Sequence, residues 1–239
     1  MFHTIFYEPV YNLLVIFLQL VPLHDIGISI ILTTLVVKTI LLPLNISATR
    51  SQYAIKKIEG ELKDIKEKHK NNPQESGRKM MEIYKREKIN PLSSLFAIIL
   101  QIPIFFALYF VFSKGVSFDA DSIYSFVKFP DSLHTEAFGI LNVTEKSLVV
   151  AILTAISSYV LAKRQTASML PNKTASEESF QDHFMKSMRI QMLYVLPVII
   201  GVSSYVLPSA LGLYWITSNV LSYLQDVYIK HHISKTATS

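Results

Sequence analysis

The sequence predicts an all-α, polytopic membrane protein, and three observations carry that expectation. Half of the 239 residues are hydrophobic and only 17% are charged, where a soluble domain carries about 25% charged residues. The apolar residues are gathered in blocks that approach or reach the length needed to cross a bilayer. Lysine and arginine crowd the segments on one side of those blocks, the pattern that membrane proteins show at their cytoplasmic face.

Taken in chain order, the first element is a helix over residues 8–20. Leu13, Leu14, Phe17 and Leu18 recur at helical spacing and Pro9 is placed to open the helix. The uninterrupted apolar stretch between Asn12 and Pro22 is too short to span, so this helix is expected to lie in the outer interface, with a short first span as the alternative. The segment lacks the basic start and small-residue cleavage site of a secretory signal.

Five spans are expected. The first covers 26–44, interrupted by Thr33, Thr34, Lys38 and Thr39, with Pro43 bending or loosening its last turn. The second covers 92–112. The third, 148–161, is short, with Lys146 and Lys163 extending their stems to the interfaces. The fourth and fifth, 190–207 and 210–229, are separated only by Pro208 and Ser209 and form a tight antiparallel hairpin.

Between the first two spans, residues 47–90 read as a charged helical hairpin. Ile55, Ile58, Leu62 and Ile65 make a narrow apolar seam on one helix, closed by the run Lys68 to Asn72. Asn72, Pro73 and Glu75 then restart a helix as N-cap, N1 and N3, with Met80 and Tyr84 on one face and Met81 and Lys88 beside them. The seam is expected to pack on that face. The 113–147 segment is aromatic and acidic and is expected to rest on the outer interface. Thr166 to Phe180 reads as a flexible link. The whole chain, 1–239, is expected to be a single domain.

An odd number of spans puts the termini on opposite sides. The 45–91 loop holds Arg50, Lys56, Lys57, Lys63, Lys66, Lys68, Lys70, Arg78, Lys79, Lys85, Arg86 and Lys88. The 162–189 loop adds Lys163, Arg164, Lys173, Lys186 and Arg189. The opposite side has Lys114, Lys128 and Lys146 against several carboxylates, so the N-terminus is expected outside and the C-terminus in the cytoplasm. Topology accounts for the net charge of +5, and sequence-specific nucleic-acid binding is not expected.

Residues suited to catalysis are scarce. The absence of cysteine removes disulfides, thiolate metal sites and cysteine nucleophiles. No phosphate-binding loop, dinucleotide fingerprint, nucleophile elbow or zinc-protease motif occurs. His231 and His232 diverge as helix neighbours and suit interfacial decoration better than a metal. Ser157, Ser158, Ser203 and Ser204 have no evident base and suit helix packing or cavity lining. Neither an enzyme nor a cofactor or metal is expected.

Lys38 stands out among Leu35, Val36, Val37, Ile40, Leu41 and Leu42. A lysine at the bilayer centre costs about 2.5–3.5 kcal/mol on insertion scales. It is tolerated where it meets a hydrated cavity or partner, or where its stem reaches the headgroups. The cavity is favoured over the headgroups. Candidate lining residues are Thr34, one turn before Lys38, and Gln101 in the second span. In the fifth span Trp215, Asn219 and Ser222 form a stripe at i, i+4, i+7 that Asp226 continues, with Ser218 beside it. Asp226 is the acid nearest Lys38 in depth.

Four stretches together resemble the YidC family of membrane protein insertases, which has mitochondrial and chloroplast relatives. They are YEPVYNLL at 7–14, TTLVVKTILLPL at 33–44, KREKINPLSSLFAIILQIPIFFALYFVF at 85–112 and LPSALGLYWITSNVLSYLQ at 207–225. The resemblance implies five helices around a hydrophilic groove, open to cytoplasm and lipid, and a bacterial inner-membrane location. It implies a non-enzymatic role in which nascent membrane proteins and lipid are the partners. A ribosome and the Sec translocon are further partners of the kind the family suggests. Lys38 stands where the family usually has arginine, and Thr34, Tyr214 and Trp215 match groove or client-contact positions. The competing expectation is a small transporter or channel, which should show paired broken helices or repeat symmetry.

Overall fold

The computed structural model describes residues 1–90, 92–113, 119, 121–130, 134–167 and 187–236. Its helices are α1 (Glu8–Leu20), α2 (Ile26–Ile40), α3 (Leu42–Lys57), α4 (Glu59–Lys68), α5 (Pro73–Arg86), α6 (Leu92–Ser113), α7 (Leu148–Ala167), α8 (Leu196–Val206) and α9 (Ser209–Thr236). A π-helical turn, His3–Tyr7, leads into α1, and another, Gln191–Val195, leads into α8. Leu148–Thr166 and Ser187–Val206 are long and apolar enough to cross a membrane, and α2 with α3 form a third candidate broken at Leu41. Within α6, Ile99–Ser113 is a shorter apolar stretch. The protein is a helical membrane protein.

The helices follow the expected segments, with differences that have local causes. The expected 26–44 span is broken at Leu41, and Pro43 sits just beyond the break in the first turn of α3, where the expected bend or loosening falls. The third helix continues to Ala167, past Lys163. A two-stranded antiparallel hairpin, β1 (Glu136–Ala137) with β2 (Leu141–Asn142), adds a small exception to the all-α expectation. Phe138 and Gly139 turn it with positive φ. Of the expected 166–180 link, residues 168–180 lie outside the described residues.

The chain divides into two compact units, Met1–Ile40 with Gln101–Leu224, and Leu41–Leu100 with Gln225–Ser239.

In the first unit α1 buries Tyr11, Leu14, Val15 and Leu18, a face displaced from the expected Leu13 and Phe17. Helix α1 packs on α2. Asn12, almost wholly buried, holds the loop after α6: its amide donates to the Ser122 carbonyl at 2.7 Å and its Oδ1 accepts from Tyr124 N–H at 2.7 Å. Asp25 caps α2 through Ile28 N–H and also accepts from Phe138 N–H at 2.6 Å, which ties the β-hairpin to the start of α2. Ser209 and Ala210 at the start of α9 donate backbone N–H groups to the Glu145 and Val143 carbonyls. The 134–145 segment therefore supplies carbonyl acceptors to the start of α9 and is tied through Asp25 to the start of α2.

Helices α7 and α8 meet closely because Gly201 has no side chain: a Cβ there would lie 2.7 Å from the Ala155 Cβ. Gly212 plays the same part for α9, where a Cβ would collide with Ser204 and Val150. Small residues are what permit such approach between helices in lipid.

In the second unit α4 and α5 form the expected hairpin. The seam is not carried by one helix, because Ile58 leaves helical geometry between α3 and α4. Leu62 of α4 and Ile83 of α5 are its buried centre, while Met80 and Tyr84 are half-buried and Met81 is exposed. Asn72 caps α5, its Oδ1 accepting from Glu75 N–H at 3.2 Å. The Glu75 carboxylate turns to Arg78 instead of completing a reciprocal box.

Arg86 clamps Glu61 across the hairpin in a two-pronged ion pair at 2.5 and 2.9 Å, and its guanidinium holds the Glu61 carboxyl below the usual carboxylate range. A depressed folded-state pKa adds stability above the unfolded-state value, and that stability is lost as pH falls through the folded one. The hairpin is expected to keep constant protection between pH 6 and 8 and to loosen below about pH 4. Hydrogen exchange corrected for intrinsic rates measures this. Glu61→Gln should loosen it already at neutral pH, and the effect should be small because exposed pairs contribute little.

Candidate functional site

The polar residues expected inside the spans meet along α9, which in the first unit is bonded by three other helices in turn. Nearest its start, Gln101 of α6 donates to the Tyr214 hydroxyl at 2.6 Å, and Ser218 also hydrogen-bonds that phenol. One turn along α6, Phe105 stacks on Trp215 with ring centres 5.4 Å apart. Gln101 and Phe105 are four residues apart, so one face of α6 meets both aromatics.

Asn219 faces α7. Its amide donates to the hydroxyls of Ser157 and Ser158 at 3.0 and 2.9 Å. In the same bundle Thr154 meets Ser204 at 3.2 Å and donates to the Gly212 carbonyl at 3.3 Å. Arg164, near the end of α7, lies over the Tyr223 ring at 5.0 Å.

Lys38 of α2 is only 8% exposed. Its ammonium donates to the Ser222 hydroxyl at 3.1 Å, and among the described residues it has no ion pair. Asp226, the acid nearest in depth, instead accepts from the Tyr53 hydroxyl at 3.2 Å in the second unit. Thr34 is buried one turn before Lys38, and its hydroxyl proton goes to the Ile30 carbonyl of its own helix. It offers only acceptor capacity to its surroundings.

The structure thus divides the expected stripe of Trp215, Asn219 and Ser222 among three partners: α6, α7 and α2. The residues that sequence reasoning passed over are Phe105, and Ser157 and Ser158 as partners of Asn219. The four-residue spacing from Gln101 to Phe105 was the available signal for the first. Nothing local pointed Ser157 and Ser158 at Asn219.

The arrangement holds the buried Lys38 ammonium against the Ser222 hydroxyl, while the amide and aromatic groups along α9 pair with α6 and α7. It offers no nucleophile set against a base among the described residues.

The chain matches the family described as 60Kd inner membrane protein over residues 17–236. A membrane protein insertase YidC of Fusobacterium nucleatum subsp. nucleatum is 32% identical over 226 residues, covering 92% of this chain and 96% of the relative. One of Clostridium perfringens is 33% identical over 207 residues, covering 84% and 77%. One of Shewanella woodyi is 31% identical over 227 residues, covering 95% of this chain but 37% of that longer protein. The chain belongs to the 60Kd inner membrane protein family, the family of the YidC membrane protein insertases, and is a membrane protein rather than an enzyme.

Proposed function

We propose that this protein is an insertase that helps client transmembrane segments enter the bilayer of the bacterial inner membrane. The observation that carries the reading is the Lys38 ammonium turned into the bundle and bonded to α9, 3.1 Å from Ser222. A scaffold has no use for a cation whose burial costs about 2.5–3.5 kcal/mol. A client has one, because an acidic residue in its external tail must cross hydrocarbon and a fixed positive charge lowers that cost.

In this proposal 1–239 is one insertase core. Its five spans, 26–44, 92–112, 148–161, 190–207 and 210–229, surround a hydrated groove. Lys38, Thr34, Gln101, Tyr214, Trp215 and Asn219 line that groove, and nascent membrane proteins and lipid are its partners. Helix α1 lies on the outer interface, the 47–90 hairpin projects into the cytoplasm, and the N-terminus is outside. The distribution of lysine and arginine supports this orientation.

Reconstitution into liposomes tests both parts. Client insertion should exceed that of empty liposomes, most for clients with acidic tails. Since the chain has no cysteine, single-cysteine labelling is clean. Gly77→Cys, at an exposed site on α5, should react only from the cytoplasmic side. Ile140→Cys, where the residue is 88% exposed, should react only from outside. Insertion no better than in empty liposomes would remove the insertase reading. Labelling of Gly77→Cys from outside would invert the topology.

A further inference from the structure

We propose that Ser222 is a positioning residue: its hydroxyl holds the Lys38 ammonium against α9 and keeps it from withdrawing to the headgroups. The inference rests on the insertase reading and assigns a role within the same site.

The geometry shows why a tether is needed. Helix α2 ends at Ile40, two residues after Lys38, about 3 Å of helix rise. The proposed span runs on to residue 44, six residues or about 9 Å of helix rise past Lys38, which is the edge of what a lysine stem covers when it snorkels to the interface. Lys38 does not do so; it is almost wholly buried and its Nζ turns sideways to α9. Among the described residues no carboxylate draws it there. Ser222 supplies the acceptor, on a short side chain that fixes the ammonium close to the α9 backbone.

The surroundings make Ser222 the hydroxyl suited to this. Tyr214, Ser218 and Ser222 are four residues apart in turn and share one face of α9. Tyr214 and Ser218 bond each other, and Tyr214 is also held by Gln101. Ser222 is the member of that face that meets the cation. A single neutral acceptor also suits a charge that must be given up to a client. A resident carboxylate would compete with the client's own, whereas a hydroxyl yields to a carboxylate, because hydrogen bonds between ionised partners are stronger.

The test uses the full chain in liposomes, with two clients that differ only by an acidic residue in the external tail. Ser222→Ala removes the acceptor. Ser222→Cys keeps nearly the same shape with a weak acceptor, so it covers the case in which alanine disturbs folding. Both should lower insertion of the acidic-tailed client about fivefold or more relative to that of the neutral-tailed client. Ser222→Thr, which restores the hydroxyl, should restore the preference. Equal loss for both clients in these variants would show a merely structural role and overturn the proposal. So would an unchanged preference in Ser222→Ala and Ser222→Cys when Lys38→Ala abolishes it. An unchanged preference in Lys38→Ala would overturn the role of the charge itself, and the tether with it.

Discussion

Lys38→Glu should reduce insertion of acidic-tailed clients by at least tenfold while a neutral-tailed client is much less affected. At an effective dielectric of about 20 and a separation of about 8 Å, one unit charge acts on another with roughly 2 kcal/mol. Reversing the sign therefore changes the interaction by roughly 4 kcal/mol, and water in the groove reduces that figure without abolishing it. Lys38→Arg should keep most activity, because the cation survives even though a guanidinium binds with a different geometry. Lys38→Ala should fall between them. It removes an insertion cost of about 2.5–3.5 kcal/mol, so its spans should form at least as readily as in the wild type, and its defect should be confined to clients. Insertion assays in liposomes, with folding monitored by thermal melting, separate these outcomes. Equal insertion of both clients by Lys38→Ala, Lys38→Glu and the wild type would leave Lys38 as an anchor without an electrostatic role.

Gly212→Val should disrupt assembly of the α7, α8 and α9 bundle. In an exposed helix, replacing glycine by alanine stabilises by about 1 kcal/mol. At Gly212 the sign reverses, because a Cβ would collide with Ser204 and Val150 and lie 3.2 Å from the Thr154 hydroxyl. Overpacking of this kind costs about 1–3 kcal/mol for small additions. Gly212→Ala should therefore be destabilising on balance, and the β-branched valine more so. The same collision would separate the Thr154 hydroxyl from its Ser204 and Gly212 partners. Gly77 is the control: nothing lies within 4 Å of a Cβ there, and Gly77→Ala should raise or leave unchanged the melting temperature. A Gly212→Val protein that melts with the wild type would show that the close approach is dispensable.

Both predictions draw on residues that the sequence displays unequally. Lys38 is conspicuous in a string because charge inside an apolar run is costly wherever the run folds. Gly212 is inconspicuous, since a glycine in an apolar helix has no local signature of what it touches. Asn72 belongs with Lys38: its side chain, the following proline and Glu75 are close together in sequence, and the cap forms as expected. The seam at Ile55 to Ile65 belongs between the two. Its apolar spacing was legible, but the break at Ile58 was not. The 136–142 hairpin was missed because its strands are two residues each, too short for any alternation to register.

The sequence by itself determined roughly where the helices lie, and that Lys38 needs a partner or water. Those properties follow from helical periodicity and transfer energies, which act over a few neighbouring residues. Only the tertiary structure decided what meets what. Lys38 finds Ser222 at a distance of 184 positions along the chain, while Asn219, less than a turn before Ser222, goes to α7. The physical reason is that side chains on neighbouring faces of one helix point to different neighbours. Which neighbour each meets is set by how close the backbones come, and among α7, α8 and α9 that approach is permitted by Gly201 and Gly212.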